Sequence, residues 1–336
     1  MDILGGLEVL GRYKRLGEEV GRGRLEEVSR CIKPFAYPED TRDLVAIDGS
    51  HTFVLHLAGL WLALIRVGAL HYEFRGDYRM RELYSEESIA AVSLHEEFVK
   101  EQDGLYRAIL ERGRRQGNLH TYMVGEFRRL AELRMAGRLA EKLSNTIIAL
   151  DGPLATPPLE EFSSTMESAM EACQKNGNTL VGVSKDSNTH SLDSLFSDGE
   201  LLARLENGDG LFYLPVTPKK AEPLCLHGEV YFARLYPGAK RWFRVDIGVP
   251  RGEPEGVFPQ LASYARSTLC PGYPYPLLEA HRYAVEVRRM EEVYDRILTD
   301  LGPRYGITPE EILRGRTDAE GGSKALFHRD LDLLSR

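Results

Sequence analysis

Two aspartates in this sequence each end a short apolar run and each precede a glycine. Asp43 to Ser50 reads DLVAIDGS, and Thr146 to Pro153 reads TIIALDGP. Leu44 to Ile47 and Ile147 to Leu150 have the composition of short buried strands. The runs therefore deliver Asp48 and Asp151 to strand ends, where glycine lets the backbone turn away tightly. Two such strands lying side by side place two carboxylates at one edge of a sheet. Carboxylates gathered this way repel, and a shared Mg²⁺ or Mn²⁺ is a natural reason to tolerate them. Each Asp-Gly alone is an ordinary turn; the signal is the pair on buried-type strands.

A third carboxylate is expected from the helix between them. Tyr122 to Leu143 is the most convincing helix, with Met123, Phe127, Leu130, Leu133, Gly137 and Ala140 on a broad apolar face. Glu126 falls inside that face, where a carboxylate needs a partner or a metal. Glu132 is the alternative, read as lying on the opposite side near Arg128 and Arg129. His281 sits near the beginning of a helix expected over Leu277 to about Leu298, where an imidazole could touch a bound phosphate or the attacking water. Lys185 follows the strand Thr179 to Val183, where a lysine beside carboxylates would hold a phosphate or screen the acidic cluster.

The elements that position these residues alternate between strand and helix. Leu16 to Val28 reads as a helix ended by Pro34 and Pro38. Phe53 to Leu57 and Leu60 to Val67 read as a hairpin around Ala58-Gly59, and His71 to Tyr78 as a further edge segment. Helices are expected over Ser88 to Glu101, Leu105 to Glu111, Leu159 to Lys175, Ser191 to Glu206, Pro259 to Thr268 and Pro309 to Leu313. Arg112-Gly-Arg-Arg-Gln reads as a solvated loop or as a phosphate contact. Leu211 to Val216 reads as a strand, and Glu229 to Leu235 with Arg241 to Ile247 as a hairpin around Pro237-Gly238. In that hairpin Arg234, Lys240, Arg241 and Arg244 interleave with Tyr231, Phe232 and Trp242, the best local candidate for a nucleic-acid surface.

Composition bounds the answer. The chain has 336 residues and 43% hydrophobic content, as a globular protein does. Its net charge of −8 leaves room only for a local basic groove. Cys31, Cys173, Cys225 and Cys270 are far apart without zinc-ligand spacing, which fits a reduced cytoplasmic chain. The N-terminus lacks a basic start followed by a long apolar core, so no signal peptide is expected. His56, Arg66, Gly59 and Gly68 interrupt the run Phe53 to Leu70, which reads as strands and not as a membrane span. That run and Met1 to Leu10 are apolar enough to serve as docking or dimer surfaces.

The segments VAIDGS, IIALDGPL, VGVSKDS, VYFARLYP…RWFRVDIG and GYPYPLLEAHRYA, in that order from about residue 43 to about 288, resemble the NurA nuclease family. The resemblance implies an α/β fold: an RNase H-like mixed sheet flanked by helices, with additional helical and hairpin elements. It implies a nuclease domain over 43–296, an N-terminal segment over 1–42 available for docking or dimer contact, and a C-terminal helical tail over 297–336. It implies a homodimer acting on DNA, with Mn²⁺ or Mg²⁺ (one or two ions per site) as cofactor and HerA, a hexameric DNA-translocating ATPase, as partner in end resection and repair. NurA proteins are similar in having 5′-to-3′ exonuclease and single-strand endonuclease activity. Carried across, the motif residues are Asp48, Asp151, the helix glutamate at Glu126 or Glu132, and His281. The family's functional tyrosine falls at Tyr231, with Tyr213 near it. The competing readings are a noncatalytic DNA-binding or assembly subunit, and a different RNase H-like endonuclease.

Overall fold

The computed structural model describes residues 7–9, 11–12 and 25–317, apart from 116, 186, 188, 193–195, 206–208, 219–223 and 251–252. Its organising element is a hairpin of two long strands, β2 (Leu44–Leu57) and β3 (Leu60–Phe74). Ala58 and Gly59 join them with φ of 50° and 78°, a turn with both central residues in the left-handed region that matches the twist of paired strands. A third antiparallel strand, β4 (Tyr78–Ser93), completes the meander. The chain then passes through α2 (Glu96–Glu101), α3 (Gly104–Gly113) and α4 (Leu119–Lys142) before returning as β5 (Ile147–Asp151). The Asp103 side chain caps α3 by accepting from the Tyr106 N–H at 2.8 Å.

β5 lies parallel to β2, and β7 (Thr179–Ser184) lies parallel to β5, with α5 (Glu160–Lys175) as the crossover. Three antiparallel strands followed by two parallel ones, in the order β4-β3-β2-β5-β7, form the RNase H-like core. The sheet continues antiparallel through β11 (Phe243–Val249), β10 (Glu229–Arg234), β8 (Leu211–Val216) and β1 (Lys33–Phe35), nine strands among the described residues. A helix over 25–31, α1, precedes β1. A short pair, β6 (Ala155–Thr156) and β9 (Cys225–Leu226), sits apart, and α6 (Asp198–Leu202) follows β7. The last elements are α7 (Pro254–Tyr264), α8 (Tyr275–Val285), a 3-10 turn at Glu286–Met290, α9 (Glu291–Leu301) and α10 (Pro309–Arg314).

Both faces of the parallel strands are covered. Val45, Ile47, Ile148 and Leu150 share a core with Met123, Leu133, Leu139 and Phe162 from α4 and α5. Leu44, Ala46, Ile147 and Ala149 share the other with Phe258, Leu261, Tyr264, Leu277 and Ala280 from α7 and α8. Strand alternation assigns each residue to its face. No described helix is long and apolar enough to cross a membrane.

Several expectations change. Ser88 to Ser93 is strand, not helix, because Ser88, Ile89, Ala90, Ala91 and Val92 pair in register with Ile65 to Trp61; long-range pairing overrides a weak local preference. The helix expected over Leu277 to Leu298 breaks at the 3-10 turn, and α9 runs across the 296/297 boundary. Among described residues, the helix expected over Ser191 to Glu206 is confined to Asp198–Leu202, started by a Ser197/Glu200 capping box. Part of the run Phe53 to Leu70 is buried within the chain itself, with Val54 and Leu64 under Val287, Tyr294 and Leu298. Most of Met1 to Leu10 lies outside the described residues.

Candidate metal centre

The β2–β5 ladder ends at the pair Ile47 and Leu150, and the next residue on each strand is an aspartate. Asp48 is not at the end of its own strand. β2 continues for nine residues beyond it, paired across to β3 with Asp48 opposite Gly68. It is β5 that stops, at Asp151, where Gly152 turns the chain with φ of 120°. By alternation both carboxylates share the α8 face with Leu44, Ala46, Ile147 and Ala149.

There α8 supplies His281, placed by the burial of its neighbours Leu277 and Ala280. His281 Nδ1 lies 2.7 Å from Asp48 Oδ2 and 4.0 Å from Asp151 Oδ2. Asp48 Oδ1 accepts from the Gly49 N–H at 2.8 Å. Lys185, just past the end of β7, sets Nζ 2.5 Å from Asp151 Oδ2, and the Tyr273 hydroxyl donates to Asp151 Oδ1 at 3.0 Å. Burial and the charge of Asp48 together hold the Asp151 pKa above the ordinary carboxylate value, with Lys185 pulling the other way.

Glu132 approaches from the α4 side. A Cβ placed on Gly49 would stand 2.5 Å from Glu132 Oε1. Gly49 is therefore not the turn expected from the sequence; it is a strand residue whose missing side chain leaves room for a carboxylate. Glu132 is 8% exposed, with Arg128 Nε 3.4 Å from its Oε1. Burial pushes its pKa up to about 7; Arg128 opposes that shift, and repulsion from Asp48 and Asp151 adds to it. Glu126 does not join this group. Its charged neighbours are Arg129, Arg112 and Arg128, with the Tyr122 hydroxyl beside it. The expectation that Glu132 faces outward fails because α4 is covered on two sides, by the sheet and by α5. Glu132 belongs to a buried stripe with Val124, Met135, Ala136 and Leu139. That stripe was readable at helical spacing; the adjacent arginines concealed it.

The tyrosine expectation also changes. Tyr231 and Tyr213 pack against Phe258 in the α7-side core, where Tyr231 donates to Glu229 at 2.7 Å and Tyr213 donates to Glu255. The tyrosine that reaches the carboxylates is Tyr273, in the proline-rich loop leading to the helix of His281. Its place in the quoted segment GYPYPLLEAHRYA was the available signal.

The basic candidates divide. Arg244 forms a buried, two-pronged pair with Asp246, at 2.7 and 2.9 Å, and Asp246 also accepts from the Leu154 N–H at 2.9 Å. This braces the loop after Asp151. Arg234 is buried, with its guanidinium 4.7 Å from the Phe212 ring centre and Nε donating to Gly210 O at 3.0 Å. Arg234 is thus a packing residue, not part of a DNA-binding face. Lys185, Lys240, Arg241 and Arg244 all line one cleft of about 370 Å³, which begins beside Asp151.

Asp48, Asp151 and His281 each offer a ligand atom, all within 4.8 Å of one another. The set fits a hard divalent cation: oxygen donors with one imidazole, mutual repulsion to relieve, and an ammonium group already in contact with one carboxylate. Fold and site together define an RNase H-like protein with a candidate carboxylate–histidine metal centre. The chain belongs to the NurA family, since the NurA domain model matches residues 42–286. The crystal structure of the NurA nuclease from Sulfolobus solfataricus is similar, with a TM-score of 0.54 and 14% identity over 90% of this chain and 98% of that one. A second NurA crystal structure gives a TM-score of 0.53 and 13% identity over 91% and 100%. A NurA structure bound to dAMP and manganese gives 0.48 and 11% over 82% and 91%. A comparison with curated proteins found no match.

Proposed function

We propose that the protein is a divalent-metal-dependent deoxyribonuclease. The observation that carries this reading is the convergence of Asp48, Asp151 and His281, from three separate elements, on one small volume. Asp48, Asp151 and His281 would hold Mn²⁺ or Mg²⁺, one or two ions, with Glu132 the next carboxylate in from the α4 side. When bound, the metal lowers the pKa of a water and offsets charge on the phosphate. The protein's own groups do the rest. Tyr273 fixes the rotamer of Asp151 through its 3.0 Å hydrogen bond. Asp48 holds the His281 ring at 2.7 Å, and the ring stays half exposed, where it can orient the phosphate or protonate the leaving oxygen. Lys185 can turn from Asp151 to a substrate phosphate, and Lys240 and Arg241 extend that charge along the cleft.

The finer reading follows the family. The protein would act as a 5′-to-3′ exonuclease and single-strand endonuclease, as a homodimer with a HerA-type hexameric ATPase, in DNA end resection in the cytoplasm. Residues 43–296 would form the nuclease unit. Asp48→Ala and Asp151→Ala test the centre. Each should abolish cleavage while circular dichroism shows the fold retained. Near-wild-type cleavage by either would remove that residue from the site.

A further inference from the structure

Two adjacent arginines of α4 stand beside Glu132 and have no part in the reaction as described. Arg128 and Arg129 precede Glu132 by four and three residues, the spacings at which helical side chains are neighbours. Successive helical residues point about 100° apart, and here that divergence carries the two guanidiniums to different strands. Arg128 Nη1 donates to Gly49 O at 3.3 Å while its Nε stands 3.4 Å from Glu132 Oε1. Gly49 directly follows Asp48, and a Cβ there would come 3.0 Å from Arg128 Cγ. Arg129 Nη2 donates to Pro153 O at 2.7 Å and to Ala155 O. Pro153 follows Asp151 by two residues. The loop so held is also tied by the Gly152 N–H to Val183 O at 2.9 Å and by the Leu154 N–H to Asp246 at 2.9 Å. Each arginine therefore grips the backbone just past one of the two aspartates.

We propose that Arg128 and Arg129 are positioning residues, a brace that sets the spacing of the carboxylates at the metal centre. Arg128 ties α4 to the strand of Asp48, Arg129 ties it to the loop of Asp151, and Glu132 is carried between them. Carboxylates drawn together without an ion repel one another. Charge-assisted hydrogen bonds are stronger than neutral ones, so the brace holds the spacing before an ion arrives. Groups behind metal ligands commonly govern affinity in this way. The arginines also bring positive charge, and charge alone repels a divalent cation. A screening role and a positioning role thus predict opposite effects of removing them. Neutral replacements should tighten Mn²⁺ binding in the first case and weaken it in the second. The contacts fit positioning, since both guanidiniums donate to backbone carbonyls, which carry no net charge to neutralise. This inference rests on the metal reading of the centre.

The test is calorimetric titration of the full, metal-stripped chain with Mn²⁺, without DNA. Arg129→Met and Arg128→Met should each bind Mn²⁺ about tenfold more weakly than wild type. Arg129→Lys, whose ammonium can serve the same two carbonyls, should bind within about threefold of wild type. Hydrogen exchange in chelator adds a readout that general loss of stability does not produce. In Arg129→Met the peptide from Asp151 to Thr156 should exchange about tenfold faster, with β7 as slow as in wild type. Should Arg129→Met not fold, Arg128→Met, whose side chain is 36% exposed, decides alone. Equal or tighter Mn²⁺ binding by the Met variants, beside a wild type that binds, overturns the brace and leaves the centre. Weaker binding with exchange raised throughout the sheet makes the arginines merely structural and also overturns it. Wild-type protein that binds no Mn²⁺ sinks the metal reading itself and the brace with it.

Discussion

Replacing Glu132 with Gln should stabilise the metal-free protein at alkaline pH while abolishing cleavage. Glu132 is pushed from its ordinary value of 4.5 up to about 7, mainly by burial. Below pH 4.5 the carboxyl is neutral in both folded and unfolded states. Between about 4.5 and 7 the unfolded chain ionises and the folded chain holds its proton, so stability falls as pH rises through that window. The full loss, at about 1.36 kcal/mol per pKa unit, is about 3 kcal/mol by pH 8. Gln removes this titration. Its buried amide brings a pH-independent destabilisation of about 1–3 kcal/mol, so the diagnostic quantity is the change in the mutant–wild-type difference with pH. Urea unfolding in chelator at pH 4.5 and pH 8 measures it, and the difference should move by about 3 kcal/mol in favour of Gln. A movement under about 1 kcal/mol would refute the burial of the Glu132 carboxyl. Mn²⁺ at pH 8 should raise wild-type stability well above that of the variant.

Gly49→Ala should cut activity about 100-fold with the fold preserved, because the new Cβ, 2.5 Å from Glu132 Oε1, drives that carboxylate out of place; wild-type turnover would mean that Glu132 is not needed where it stands. Arg244→Ala should destabilise by about 3–5 kcal/mol in thermal or urea unfolding, since it leaves buried Asp246 without its cation, and a loss under about 1 kcal/mol would return Arg244 to the exposed DNA-binding set. Light scattering coupled to size exclusion should find twice the 37.9 kDa chain mass at micromolar concentration, and a monomer there would defeat the homodimer.

Much of the core was legible because its signals are local. The apolar runs before Asp48 and Asp151, the turn at Ala58-Gly59 and the long helix beginning near Tyr122 are each written in a few adjacent residues. What escaped depends on contacts between distant segments. Ser88 to Ser93 is a strand because β3 is long enough to pair with it. Gly49 reads as a turn because a glycine after a strand-like run is ambiguous; its role appears only when Glu132 lies against it. Arg234 and Arg244 read as a DNA-binding surface because alternation cannot tell an exposed arginine from one stacked on Phe212 or paired with Asp246. Tyr273 escapes the sequence because Tyr231 also lies in a motif-like segment, and only the packing of α8 brings Tyr273 to Asp151.

The central claim is that the Asp48–Asp151–His281 centre works through a divalent metal. The direct measurement is cleavage of labelled single-stranded DNA by stringently chelated wild-type protein, before and after Mn²⁺ is added back, with Asp151→Asn run beside it. No cleavage in chelator, full restoration by Mn²⁺ with a smaller restoration by Mg²⁺, and no restoration in Asp151→Asn is the predicted result. Undiminished cleavage after chelation, or a fully active Asp151→Asn, would contradict it.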